Sequence, residues 1–110
     1  MELITENGYY LSDPFHYVDW HAGHKFEKLN YTAFWFLKGN KVLLHGKSND
    51  KDFNKEEFKT IGYYEVKDDV VNITFQKGEK FEAKQEMILI QKGQMMNKNE
   101  RMFDFVKWNK

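Results

Sequence analysis

The chain has 110 residues, with 17 Lys plus Arg against 17 Asp plus Glu, 17% aromatic residues and no cysteine. That length fits one domain, residues 1–110, with one modest core, and the aromatic excess favours strands. A formal charge of zero argues against a nucleic-acid surface, and the missing cysteine excludes disulfides, thiol catalysis and cysteine zinc sites.

Residues 1–6 have no basic region and no long apolar core, so they do not read as a signal peptide. The expected location is cytoplasmic as written, or secreted or periplasmic if a leader has been removed. Residues 7–11 predict a first short strand, ended by Ser12-Asp13-Pro14 and the chain's one proline. Residues 15–28 carry Tyr17, Trp20 and Phe26 among His16, His21 and His24, with no clean period. They predict a long crossing loop. Imidazole is the commonest transition-metal ligand, but useful histidine sets are held on rigid elements, so no high-affinity metal site is expected there.

Residues 31–44 form the densest apolar stretch, broken once at Gly39-Asn40. Gly and Asn tolerate the positive φ of tight hairpin turns, so two strands are predicted, near residues 29–38 and 41–47. Strand alternation puts Phe34 and Phe36 on one face, and Ala33, Trp35 and Leu37 on the other. Val42 and Leu44 share a face on the second strand. One face buries the core; the other, an outer patch of Trp35, Leu37 and Leu43, must meet a helix, a partner or the membrane surface, or remain as exposed aromatic area. The longest apolar run, residues 33–37, is far too short to span a bilayer, so no transmembrane segment is expected. His45, alone on its strand, reads as structural.

A polar connector follows. Asn54 with Glu57 three residues on is a capping-box pattern, predicting one short helix near 54–59, with Phe53 and Phe58 folded onto the barrel end. Asp50, Asp52 and Asn54 suggest a calcium loop, but Lys55 and Ile61 stand where its glycine and closing glutamate belong. Residues 61–66 read as a strand, Lys67-Asp68-Asp69 as a turn, and residues 70–76 as the return, with Val71, Ile73 and Phe75 on one face. A turn over residues 77–80 and a short strand over 81–84 come next. Met87, Ile88, Leu89 and Ile90 are apolar on both faces. Residues 91–100 read as a polar loop exposing Met95 and Met96. Residues 101–108 close the chain, with Phe103 and Phe105 on one side. About eight strands in hairpin order, with a turn every eight to twelve residues, predict an all-β antiparallel meander closing into a small barrel.

Several residues carry a family likeness. Gly8-x-Tyr10 opens the first strand much as Gly-x-Trp opens a lipocalin, with Tyr10 where lipocalins carry Trp. Phe34-x-Phe36, Gly39-Asn40 and Val42, then Gly62-x-Tyr64-x-Val66 before Ile73-x-Phe75, and finally Phe103-x-Phe105-Val106, follow the strand sequence of small bacterial lipocalin-like domains. The chain resembles that family from Gly8 to Val106. The resemblance implies a calycin-type barrel whose usual use is to hold a small apolar molecule.

No Gly-x-Ser-x-Gly and no phosphate-cradling glycine loop is present, and Glu56 and Glu57 would point apart on a helix. No catalytic residue, metal or cofactor is therefore assigned, and an enzyme is the least favoured class. The first reading is a non-catalytic module holding a small hydrophobic ligand in the barrel. Its lining would be Tyr10, Phe34, Phe36, Val42, Leu44, Tyr64, Val66, Ile73, Phe75, Ile88, Phe103 and Phe105. The alternative is a protein-interaction or structural domain with a filled core, able to form a homodimer through the outer aromatic patch.

Overall fold

The computed structural model describes residues 2–76, 80 and 82–108. Residues 77–79 of the expected turn at 77–80, and Phe81 at the start of the expected short strand, lie outside the described residues. Among those described, the strands are β1 (Gly8–Ser12), β2 (Phe15–His21), β3 (His24–Leu37), β4 (Lys41–Ser48), β5 (Thr60–Lys67), β6 (Val70–Phe75), β7 (Ala83–Gln91), β8 (Gln94–Asn97) and β9 (Met102–Lys107). All pairings are antiparallel neighbours in chain order from β2 to β9. The ring closes because β1 pairs with both β9 and β3, through Tyr10↔Phe34 and Leu11↔Ala33. Eight strands thus form a closed barrel, and β2 remains outside it.

Local sequence explains the tight corners. Gly39 and Asn40 both adopt positive φ between β3 and β4, and Asp68 and Asp69 do so between β5 and β6. Asp, Asn and Gly tolerate that region at least cost. Alternation then sets the inside. Tyr10, Phe34, Phe36, Val42, Tyr64, Val71, Ile73, Phe75, Met87, Leu89, Met95 and Phe103 form one buried cluster within the barrel. Leu3 and Ile4 pack against it at one end, where the Tyr10 hydroxyl accepts a hydrogen bond from the Ile4 N–H at 3.0 Å.

Two glycines make room for rings. A Cβ on Gly62 would lie 2.6 Å from the Phe75 ring, its cross-strand partner, and one on Gly8 would run into the Val106 carbonyl oxygen and lie 2.6 Å from the Phe105 ring. The two Gly-x-Tyr motifs are places where a phenylalanine lies over a bare backbone.

Four expectations are corrected. The segment at 54–59 is not a helix but a single 3-10 turn, Lys55–Glu57, in which the Glu57 carboxylate accepts from the Asn54 N–H at 3.1 Å. Phe53 and Phe58 do not plug the barrel end. They cover its outer wall, in a second buried cluster with Tyr9 and Ala33. Trp35 points outward, opposite Phe34 and Phe36, but lies 5.7 Å from the Phe58 ring and 5.2 Å from the Trp108 ring. The outer patch offered as a surface for a partner is therefore largely covered by the chain itself: Trp35 and Leu43 pack into this cluster, and Leu37 is half-buried. Lys47 pins the covering segment. Its ammonium sits 3.0 Å from Glu57, whose pKa it lowers, and 4.6 Å from the Phe53 ring centre. Finally, residues 91–100 are not a loop. Gly93 at positive φ turns the chain into β8, and Met95 is fully buried opposite Leu89 and Phe103.

Candidate interaction site

Residues 15–28, expected as a crossing loop, form the most distinctive feature of the molecule. β2 pairs with the first half of β3 over seven residue pairs, from Phe15↔Asn30 to His21↔His24. Ala22 and Gly23, both at positive φ, make the two-residue turn that a right-twisted hairpin prefers. β4 pairs with β3 only from Asn30 onward. The distal half of the hairpin consequently leaves the barrel as a two-stranded ribbon, about 20–24 Å long at the usual rise per residue. Every residue of β2 is exposed, as is β3 from His24 to Leu29.

Register places the side chains. One face holds Phe15, Tyr17, Asp19 and His21 beside Asn30, Lys28, Phe26 and His24; the other holds His16, Val18 and Trp20 beside Leu29, Glu27 and Lys25. Six large apolar side chains are thus in solvent: Phe15, Tyr17, Val18, Trp20, Phe26 and Leu29, with Trp20 at 66% exposure. His21 and His24 share a face while His16 lies on the other. Among the described residues no group of three or more His, Asp or Glu is arranged to hold a metal ion. Nor is any helix among them long and apolar enough to cross a membrane.

The ribbon's base is fixed from both sides. Arg101, the single arginine, donates from Nε to the Asp13 carbonyl (3.0 Å), from Nη2 to the Asn30 carbonyl (2.9 Å) and from Nη1 to Thr32 Oγ1 (3.3 Å). Ser12 Oγ accepts from the Thr32 N–H at 2.8 Å. On the other edge, the Leu29 N–H donates to Asn49 Oδ1 (2.9 Å), and the Leu29 carbonyl accepts from the Asn49 N–H (2.7 Å). The guanidinium fork holds the corner between β1 and β2 to the point where β3 leaves the barrel. We expect Arg101→Ala to cost about 2–3 kcal/mol, since three charge-assisted bonds go and the partly buried acceptors at Asn30 and Thr32 lose their partner. Arg101→Lys should recover little, because an ammonium lacks the planar fork. Urea unfolding measures the loss, and amide exchange at Asn30 and Thr32 should rise well before the barrel's; a change below 0.5 kcal/mol (roughly the level of an ordinary surface substitution) would refute the role.

The residues expected to line a cavity divide into three groups. Tyr10, Phe34, Phe36, Val42, Tyr64, Ile73, Phe75 and Phe103 are buried in the interior, and Leu44 and Phe105 are partly buried against them. Val66 lies opposite the inward-facing Val71 but is 43% exposed at the rim, beside Leu3 and Thr5. Ile88 is corrected: it lies on the outer face, while its neighbours Met87 and Leu89 turn inward. The interior rings meet closely, Phe34 with Phe103 at 5.4 Å and Tyr10 with Phe36 at 5.6 Å between centroids. Open hollows of about 500 and 840 Å³ lie outside, one on the wall around Tyr63, Asn72 and Lys84, the other at the rim around Glu2, Leu3 and Val66.

No alternation marks the ribbon, because both its faces are solvated. Ala22-Gly23 between two aromatic runs was the one readable signal. No protein-family model, no curated protein and no solved structure matches this chain. What the fold itself shows is a closed eight-stranded antiparallel barrel, consistent with calycin-like architecture, carrying one extra strand.

Proposed function

We propose that this protein is a non-catalytic interaction module, in which a filled barrel serves as the rigid base for a projecting aromatic ribbon. One observation carries the reading: six large apolar side chains stand exposed on one ribbon, while the barrel's own rings occupy its interior. Exposed apolar area of that kind marks contact surfaces, and aromatic residues dominate the energetics of such contacts. A barrel kept for a small hydrophobic ligand would instead leave interior room. The ribbon's two Lys and two acidic residues balance, which suits a protein partner better than a polyanion.

Residues kept for contact rather than for folding should be replaceable without loss of stability. The double variant Trp20→Ser, Phe26→Ser is therefore expected to unfold within about 0.5 kcal/mol of wild type. A photoreactive amino acid at Trp20 should give discrete protein adducts in cells expressing the protein, and one at Lys67, on the far rim, should give none. No adducts from Trp20 would overturn the reading, and saturable binding of an apolar fluorescent probe inside the barrel would favour the ligand-holding one.

A further inference from the structure

We infer that the ribbon's occupant is a second copy of this chain, joined by antiparallel pairing of the two β2 edges about a two-fold axis at Val18. The inference deepens the interaction-module reading and rests on it.

The backbone decides which groups are free. Leu29 directs its N–H and carbonyl to Asn49, away from β2. The Trp20 N–H reaches its neighbour's carboxylate, Asp19 Oδ1, at 2.8 Å, away from β3. Antiparallel ladders alternate strictly, so His16, Val18 and Trp20 present their backbone groups along the outer edge of β2. The opposite edge of the ribbon offers only Lys25 and Glu27 beyond the Asn49 contact, and these two are ion-paired at 3.0 Å. Lysine on an edge discourages strand addition. The β2 edge carries no lysine and no proline from Phe15 to His21. It is the open template, and a two-stranded ribbon standing alone in water is marginal without further strands.

Self-complementarity names the occupant. An axis at Val18 is the register that sets all three free residues against free residues: His16 against the partner's Trp20, Val18 against the partner's Val18, and Trp20 against the partner's His16. On the other face Tyr17 comes opposite the partner's Asp19, a phenol beside a carboxylate. No like charges meet, since Glu27 and the partner's Glu27 are three strand spacings apart, about 14 Å. Each ribbon has two Lys and two acids, so net charge does not oppose approach. The small tip, Ala22-Gly23, ends at the partner's Asp13-Pro14 corner, short of the partner's barrel. Pairing replaces the Trp20–Asp19 bond with one to the partner's His16 carbonyl, and releases Asp19 for the partner's Tyr17. Such an interface is isologous and closes at two copies.

The chain's lack of cysteine makes a direct test available. Residues facing each other at the axis would have Cα atoms about 5.5 Å apart, within disulfide range. Mild oxidation of the purified Val18→Cys variant should give a covalent dimer, and Glu27→Cys should not. Sedimentation of wild type at up to about 100 µM, enough to populate a dimer of micromolar Kd, should show dimer. Val18→Lys should weaken it at least about tenfold through like-charge apposition, and mixing it with Val18→Glu should restore it. Val18 is exposed, so these variants leave the barrel intact. A monomeric wild type with no Val18→Cys dimer overturns the inference, as does a dimer indifferent to Val18→Lys, or binding to phosphatidylcholine vesicles through Trp20 without dimer. Trp20 photo-adducts to a different protein would then still support the interaction module; their absence would overturn both.

Discussion

Phe36→Ala should cost roughly 3–5 kcal/mol, the range for removing a buried ring from a core that cannot collapse onto the gap. Phe36 is 1% exposed and edge-on to Tyr64 at 5.0 Å and Tyr10 at 5.6 Å, with Phe34 stacked at 6.1 Å. Val42 faces it across the hairpin. Tyr64 is itself tied by its hydroxyl to the Leu37 carbonyl at 2.8 Å, so this wall of the barrel cannot move in without breaking that bond. A domain of this size is stable by about 5–15 kcal/mol, so the variant sits near its unfolding threshold. Urea unfolding of both proteins, with and without an apolar fluorescent probe, separates the two functional readings. A filled barrel gives severe destabilisation and no probe binding by wild type. Mild destabilisation, with saturable wild-type binding that the substitution alters, would restore the ligand-holding reading.

Gly62→Val should be comparably damaging, by about 3 kcal/mol or more, because it overpacks rather than empties. The Cβ alone would lie 2.6 Å from two carbons of the Phe75 ring and 2.9 Å from the Thr74 carbonyl oxygen. The ring can swing, but the carbonyl belongs to the β5–β6 ladder and cannot. A smaller side chain at the partner position relieves only the ring clash. Gly62→Val combined with Phe75→Ala should therefore be less destabilised than the two single costs summed, as coupled neighbours require. Strict additivity in the thermal unfolding of the four proteins would show that Gly62 makes no room for Phe75.

How much of this was legible depends on where burial lies. The β3–β4 and β5–β6 hairpins were readable from Gly39-Asn40 and Asp68-Asp69, and the inward set of Phe34, Phe36, Ile73 and Phe75 from alternation. The ribbon was not, since residues 15–28 put apolar side chains on both solvated faces and so show no period. β8 was missed because four residues between Gly93 and Lys98 are too few to display one. Arg101 stands out only as the chain's sole arginine; its three acceptors, at positions 13, 30 and 32, are distant in sequence and meet only when the barrel closes.

By itself the sequence determined the strand-rich class, the turns at Gly39-Asn40 and Asp68-Asp69, and which side chains face inward where alternation is clean, as for Phe34, Phe36, Ile73 and Phe75, because these follow from local sterics and a period of two. Tertiary structure alone decided what covers each outward face. Trp35 and Trp20 are both outward aromatic residues on strands. The first is roofed by Phe58 and Trp108, since β4 leads into a segment long enough to fold back over it. The second is left in water, because β4 stops pairing at Asn30 and no other described strand reaches the ribbon. Coverage is a property of long-range pairing, whose cost is the closure of loops between distant residues, and no local pattern in the chain records it.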